Sequence, residues 1–325
     1  MGMRIMTNYS DDVTKELFGY LPEQTKRADF DEFWEQTIKK AENVPLRPEK
    51  LLYDYPGNYV KVYSITYYGF DETKIHGWYI VPQFTGEKKH PCLINYHGFT
   101  GNRGMPSDFM VWAVQGIAVL SVDCREQSGE TGNSAVYSTG SVQNVVSKGI
   151  LDKNEYYYRA VYMDCLKAID FAGTCEEVDK DRIIIHGGSQ GGGLGMAVCS
   201  LDSRPWMALV DVPSCSNLEK RVEGAFGAFG SITEYLKKYP DRLERAYETL
   251  SYFDTMNMAD RIKCRVLASV GIKDNICPAK LYFASYNRIK SPKEIRIYPF
   301  NGHEGGHSVH LQEKLRFVWE WLNKE

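Results

Sequence analysis

Eight cysteines are scattered through 325 residues at irregular intervals, and no two form a C-x-x-C pair. That pattern argues against a disulfide framework and against a structural zinc site. It reads as buried, reduced thiols in a cytosolic protein. No run of 18 apolar residues occurs, so no helix of this sequence is expected to cross a membrane. An excess of charge is also missing: 39 Lys and Arg against 42 Asp and Glu leave a net −3, which gives no electrostatic basis for binding nucleic acid. Residues 1–10 lack a basic region followed by an apolar one, and they do not read as a secretory signal. No internal repeat or low-complexity tract is visible. What is present is an ordinary globular composition, 43% hydrophobic and 25% charged, in a chain long enough for a large core.

The pattern of apolar residues divides the chain. Phe30, Phe33, Trp34, Ile38 and Ala41 fall on one helical stripe, with Asp29 placed as its N-cap. Two strand-like runs follow at 59–68 and 76–81, separated by Gly69 and a charged turn, and their spacing predicts an antiparallel start to a sheet. From Pro91 onward, short apolar runs alternate with helical stretches. Strands are expected near 92–96, 117–123, 182–186, 207–212, 265–270 and 294–298. Helices are expected near 107–115, 155–171, 191–201, 279–288 and 308–323, the last showing Leu311, Leu315, Val318, Trp319 and Leu322 on one side. Such alternation predicts an α/β fold with a mainly parallel sheet and helices on both faces. Residues 213–261 break the alternation and read as a cap inserted above the C-terminal edge of the sheet, where ligands bind in open α/β sheets. Residues 126–153 are polar and rich in Gly and Ser, a long loop of the kind that is often functional.

The sharpest local signal is Ile183-Ile184-Ile185-His186-Gly187-Gly188-Ser189-Gln190-Gly191-Gly192-Gly193. A strand runs through G-x-S-x-G into a helix. That context lifts a serine hydroxyl out of a strained turn, with glycines where a Cβ would collide with backbone. No Lys-Ser/Thr pair follows, which disfavours a phosphate loop. A serine hydroxyl needs a base and a group to orient that base. In chain order these should be an acid and then a histidine. His303, His307 and His310 follow Ser189. His303 leaves the last strand on the same sheet edge as the serine, whereas His307 and His310 fall at the start of the terminal helix. Asp274 sits on the turn after the strand at 265–270, with Asp211 and Asp260 as rivals in less suitable places. The oxyanion donors are expected to be the amides of Gln190, next after the serine, and Phe99, in the loop Tyr96-His97-Gly98-Phe99. Each such donor is worth about 3 kcal/mol.

A metal reading competes. His303-Glu304-Gly305-Gly306-His307 matches H-E-x-x-H, with His310 as a possible third ligand. The motif works on a helix, and two consecutive glycines cost that helix about 2 kcal/mol relative to alanine. No metal or other cofactor is therefore expected.

With these residues in place, the chain resembles the carbohydrate esterase family 7 enzymes, the acetyl xylan esterase and cephalosporin C deacetylase group. The matching pieces run in order from about residue 28 to 307. They are Asp29-Phe30-Asp31-Glu32-Phe33-Trp34, Tyr96-His97-Gly98-Phe99, Lys148-Gly149-Ile150-Leu151-Asp152-Lys153 with Tyr156-Tyr157-Tyr158-Arg159, Gly187-Gly188-Ser189-Gln190-Gly191-Gly192, and His303-Glu304-Gly305-Gly306. The resemblance implies one α/β-hydrolase domain over 1–325, with an N-terminal helical extension (about 1–45) and a cap insertion (about 213–261). It implies removal of acetyl groups from xylo-oligosaccharides and cephalosporins in the cytoplasm, by a homo-oligomer, commonly a hexamer. Its nucleophile, acid and base fall on Ser189, Asp274 and His303, and its oxyanion amides on Gln190 and Phe99, where the family usually has tyrosine at the latter position. One departure stands out: the family's Arg-Gly-Gln reads Arg125-Glu126-Gln127 here. If that glycine needs a positive φ, Glu126 takes a costly backbone or the loop is rebuilt. A longer-chain carboxylesterase or a peptidase of the same fold would use the same triad. A non-catalytic binding protein on this fold is the alternative from another class, and the retention of all three triad residue types speaks against it.

Overall fold

The computed structural model describes residues 11–140 and 142–324; the first ten residues of the N-terminal extension lie outside them. Nine strands form one sheet in the order β1-β2-β3-β5-β4-β6-β7-β8-β9. They are β1 (Glu49–Tyr53), β2 (Val60–Tyr68), β3 (Lys74–Pro82), β4 (His90–Tyr96), β5 (Ala118–Val122), β6 (Val178–Gly188), β7 (Pro205–Asp211), β8 (Arg265–Gly271) and β9 (Lys293–Tyr298). β2 and β3 pair antiparallel across the charged turn, Val60 opposite Pro82, as their spacing predicted. From β5 to β9 every pairing is parallel. β1 is an addition to the expected set: all five of its residues are exposed, and Leu51-Leu52 breaks any apolar alternation.

Ten helices are described: α1 (Asp11–Gly19), α2 (Phe30–Glu42), α3 (Met110–Ala113), α4 (Tyr157–Thr174), α5 (Gln190–Leu201), α6 (Leu218–Glu223), α7 (Gly230–Lys238), α8 (Leu243–Phe253), α9 (Ala279–Tyr286) and α10 (His307–Leu322). The alternation of side chains along the strands separates two cores. In β6, Ile183 and Ile185 enter the larger one, with α2, α4, α5 and α9, while Ile184 faces the smaller one, with α3 and α10. α5 is buried from Gln190 to Ser200, as a helix without a polar face must be. The α2 stripe is buried at Phe30, Phe33, Trp34 and Ala41, and it packs on Tyr252 and Phe253 of α8. Asp29 stands at its N-cap, but its carboxylate accepts from Lys153 and Tyr252 instead of the helix amides.

Two expectations for helices need correction. Residues 106–109 form a 3-10 turn, opened by Pro106, and only Met110–Ala113 is α-helical. On α10, Leu311, Leu315, Val318 and Leu322 pack on the smaller core as expected, but Trp319 is exposed, and His310, Lys314 and Phe317 are buried on the helix as well. Between β7 and β8 no strand forms. α6, α7 and α8 with short 3-10 turns fill that stretch, and α7 and the turn before it reach the long loop through Ser231 and Ala228, both bonded to Asn144.

Strand order reverses at β4, whose neighbours are β5 on one side and β6 on the other. The loops leaving the C-terminal ends of β4 and β6 therefore diverge there, which is where ligands bind in open α/β sheets.

Candidate active site

β6 ends at this switch in strand order. Ser189 takes φ 56° and ψ −117°, a conformation rare for a residue with a side chain, and α5 begins at the next residue. Its amide donates to the Asp211 carbonyl at 2.8 Å, while its own carbonyl accepts from the Gly193 and Ser214 amides at 3.0 Å each. The turn is thus held from both flanks. The motif glycines explain how it fits: a Cβ on Gly191 would lie 1.9 Å from the Tyr96 carbonyl oxygen, and one on Gly187 2.5 Å from the Gly191 carbonyl carbon. Gly188 faces more open space, with nothing nearer than 3.8 Å.

The three expected side chains converge. His303 Nδ1–H donates to Asp274 Oδ2 at 2.8 Å, which leaves Nε2 unprotonated and able to accept from Ser189 Oγ at 2.9 Å. The Asp274 side chain is fully buried. Its other oxygen accepts the amides of Ile276 and Cys277 at 2.8 Å each, so the carboxylate cannot swing away from the imidazole. The turns bearing Asp274 and His303 lie side by side, joined by the Lys273 amide to the Asn301 carbonyl at 3.0 Å. The rival carboxylates are elsewhere. Asp211 pairs with Lys314, and Asp260 with Lys290 at the surface.

The loop after β4 is fixed by His97. Its Nε2 accepts the Cys124 amide at 2.8 Å and its Nδ1–H donates to the Gly98 carbonyl at 2.7 Å, an arrangement that needs a neutral ring. Burial lowers the His97 pKa accordingly. Among the described residues, neither the Phe99 amide nor the Gln190 amide donates to another protein group outside its own element. Gln127 ties the segments bearing these two amides together. It exchanges side-chain bonds with Gln190, at 3.0 and 3.2 Å, and its carbonyl oxygen accepts the Thr100 amide at 2.9 Å.

Glu126 does adopt a positive φ, 57°. The Glu126 carboxylate is held by Lys148 and by Asn133 Nδ2 at 2.6 Å. The adjacent Arg125, fully enclosed, forms a bidentate pair with Asp164 at 2.7 and 2.9 Å and reaches Asp71 at 3.0 Å.

The H-E-x-x-H segment is a turn. Gly305 and Gly306 have φ of 53° and 90°, and the helix starts only at His307. His303 and His307 therefore do not share a helix face. His307 is exposed beside Ser308, and His310 is buried against Tyr298.

Two residues near the triad carried no signal in the sequence. Cys277 Sγ is 3.9 Å from Ser189 Oγ. Burial pushes its thiol up, so it stays protonated at neutral pH. Arg221, enclosed in the inserted segment, donates to the carbonyls of Ser216, Pro213 and Ile276 and approaches the same sulfur at 3.5 Å.

The family model described as acetyl xylan esterase matches residues 8–321. The chain belongs to the acetyl xylan esterase family. The acetyl esterase Axe7A of Xylanibacter ruminicola is 26% identical over 94% of this chain and 70% of its own length. Among solved structures, the acetyl xylan esterase from Paenibacillus sp. R4 superposes with a TM-score of 0.91 at 42% identity, covering 94% of this chain and 98% of that one. Acetyl xylan esterase 1 from Thermoanaerobacterium sp. JW/SL YS485 gives 0.86 at 31% identity, with 92% and 96% covered. The α/β-hydrolase fold that the resemblance implied is the fold these family members share.

Proposed function

We propose that the protein is a serine esterase that removes acetyl groups from xylo-oligosaccharides and related small acetyl esters, including those of the cephalosporin C type. The observation that carries this reading is the continuous chain of bonds from Asp274 through His303 to Ser189. As the substrate carbonyl reaches the triad, Ser189 Oγ attacks its carbon while His303 Nε2 takes the hydroxyl proton. Asp274 keeps the imidazole in the tautomer that can accept, and it stabilises the imidazolium that forms. The developing oxyanion is met by the free amides of Gln190 and Phe99, the former at the first turn of α5, where the helix dipole favours negative charge. His303 then protonates the departing sugar oxygen, leaving acetyl-Ser189. Water repeats the sequence and releases acetate.

Eight free, buried thiols support a cytoplasmic setting for this activity. The exposed edge strand β1, with Leu51 and Leu52 outward, supports association into a homo-oligomer. Acyl-chain profiling tests the specificity. p-Nitrophenyl acetate and acetylated xylo-oligosaccharide should be turned over well and butyryl esters poorly, as an acetyl-specific enzyme requires. Equal rates on butyryl esters, or cleavage of peptide amides, would move the assignment to a longer-chain esterase or a peptidase.

A further inference from the structure

One interior cluster of charge has no part in the steps above. The Lys314 ammonium on α10, almost wholly enclosed, lies 2.5 Å from Asp211 Oδ2 at the end of β7 and donates to His186 Nε2 on β6 at 2.9 Å. The proton of His186 then sits on Nδ1 and is donated to Asn95 Oδ1 on β4 at 2.8 Å. Loss of hydration and the adjacent Lys314 charge push His186 down to about 3, so the ring is neutral. Asp211 Oδ1 accepts from Ser269 Oγ on β8 at 3.3 Å and lies 2.9 Å from His310 Nε2. Desolvation alone would raise the Asp211 carboxyl, but the neighbouring Lys314 charge, together with His310 and His186, outweighs it and holds the group well below the usual carboxylate range. His310, one turn before Lys314 on the same helix face, meets the Tyr298 hydroxyl through Nδ1 at 3.1 Å.

The cluster frames the triad. The Asp211 carbonyl receives the Ser189 amide, and His186 lies in the strand that leads into Ser189. The turn bearing His303 leaves the sheet after Tyr298 and ends where α10 begins, and the cluster fastens both ends. Inside that turn, Gly305 and Gly306 press so closely on Val212 and the Tyr298 ring that a Cβ would lie 2.6 and 2.3 Å from them.

We propose that Lys314 is a positioning residue whose ammonium, held by Asp211 and His186, locks β6 and β7 against α10 and so sets the distance between Ser189 and His303. A lysine suits the place because its three donors serve a carboxylate and a neutral imidazole nitrogen together. Its removal strands the Asp211 charge beside the backbone that shapes the nucleophile turn.

This inference rests on the serine-esterase reading, so Ser189→Ala is measured alongside. Turnover of p-nitrophenyl acetate is referred to active sites counted by end-point titration with a fluorophosphonate. In Lys314→Met, kcat per titrated site should fall about 100-fold while KM stays within about twofold. Adding Asp211→Asn, which removes the stranded charge, should restore kcat about tenfold. A kcat within about twofold of the parent in Lys314→Met, or a double variant as slow as the single one, overturns the proposal. Should Lys314→Met fail to fold, Tyr298→Phe decides. It deletes only the hydroxyl at the far end of the cluster and should lower kcat about fivefold at constant KM, and an unchanged kcat overturns the proposal. Residual wild-type activity in Ser189→Ala would sink the esterase reading itself. An inactive Ser189→Ala beside a fully active Lys314→Met would sink only the role of Lys314.

Discussion

Gly191→Ala puts the packing of the nucleophile turn to a quantitative test. The added methyl would sit 1.9 Å from the Tyr96 carbonyl oxygen, 2.7 Å from its carbon and 3.1 Å from the His97 carbonyl oxygen. All three are backbone atoms in or just after β4, so no side chain can rotate to make room. Reaching ordinary van der Waals contact requires the start of α5 to move about 1.5 Å away from β4. That movement separates the Gln190 amide from the loop carrying Phe99 and carries Ser189 off the line to His303. A misplacement of about 1 Å costs on the order of 100-fold in rate, and overpacking of this kind costs about 1–3 kcal/mol in stability. Gly188→Ala is the control, because its methyl meets nothing closer than 3.8 Å. Both variants are assayed with p-nitrophenyl acetate, counted by active-site titration, and melted. Gly191→Ala should lose about 100-fold in kcat, and Gly188→Ala should stay within about threefold. Wild-type turnover in Gly191→Ala, or equal losses in the two variants, would refute the reasoning.

Glu126→Gly should destabilise the protein by about 1 kcal/mol although it relieves a left-handed backbone. About 1 kcal/mol of strain is recovered, but glycine's extra unfolded freedom and the lost bonds to Asn133 and Lys148 exceed it. Glu126→Ala keeps the strain, loses the bonds and should cost about 1.5 kcal/mol, so urea unfolding that finds either variant more stable than the parent contradicts this account. Asp254 supplies a pH test. Burial lifts its carboxyl to about 6, against the pull of the Leu218, Met256 and Asn217 amides. A folded pKa above the unfolded one means that its stabilising contribution is complete below about pH 4 and is lost as pH rises through 6. The stability of the parent relative to Asp254→Asn should therefore decline between pH 4.5 and about 7.5, and a difference that is flat across that window would count against it.

The sequence was most readable where chemistry and packing constrain single positions. Gly187 and Gly191 touch the backbone of other segments, so only glycine fits, and the strand and helix on either side of Ser189 leave one sensible conformation. The positions of Asp274 and His303 followed from chain order and strand ends, which needs no knowledge of side-chain contacts. β1 was missed because an exposed edge strand carries no apolar alternation. The face of α10 was read only in part, for a related reason. Its buried side includes His310 and Lys314, whose burial is made tolerable by Asp211, His186 and Tyr298 from three separate strands. Periodicity weighs apolar residues and cannot see such partners. Arg221 and Cys277 were silent for the same reason, since their neighbours come from the inserted segment and from the Asp274 turn.

The central claim is that Ser189 is the nucleophile, activated by His303. Intact-protein and peptide mass spectrometry after treatment with a fluorophosphonate tests it most directly. One adduct per chain is expected, located on Ser189, with esterase activity lost in proportion to labelling and with labelling abolished in His303→Ala. An adduct on another residue, or a fully labelled protein that still hydrolyses acetyl esters, would contradict it.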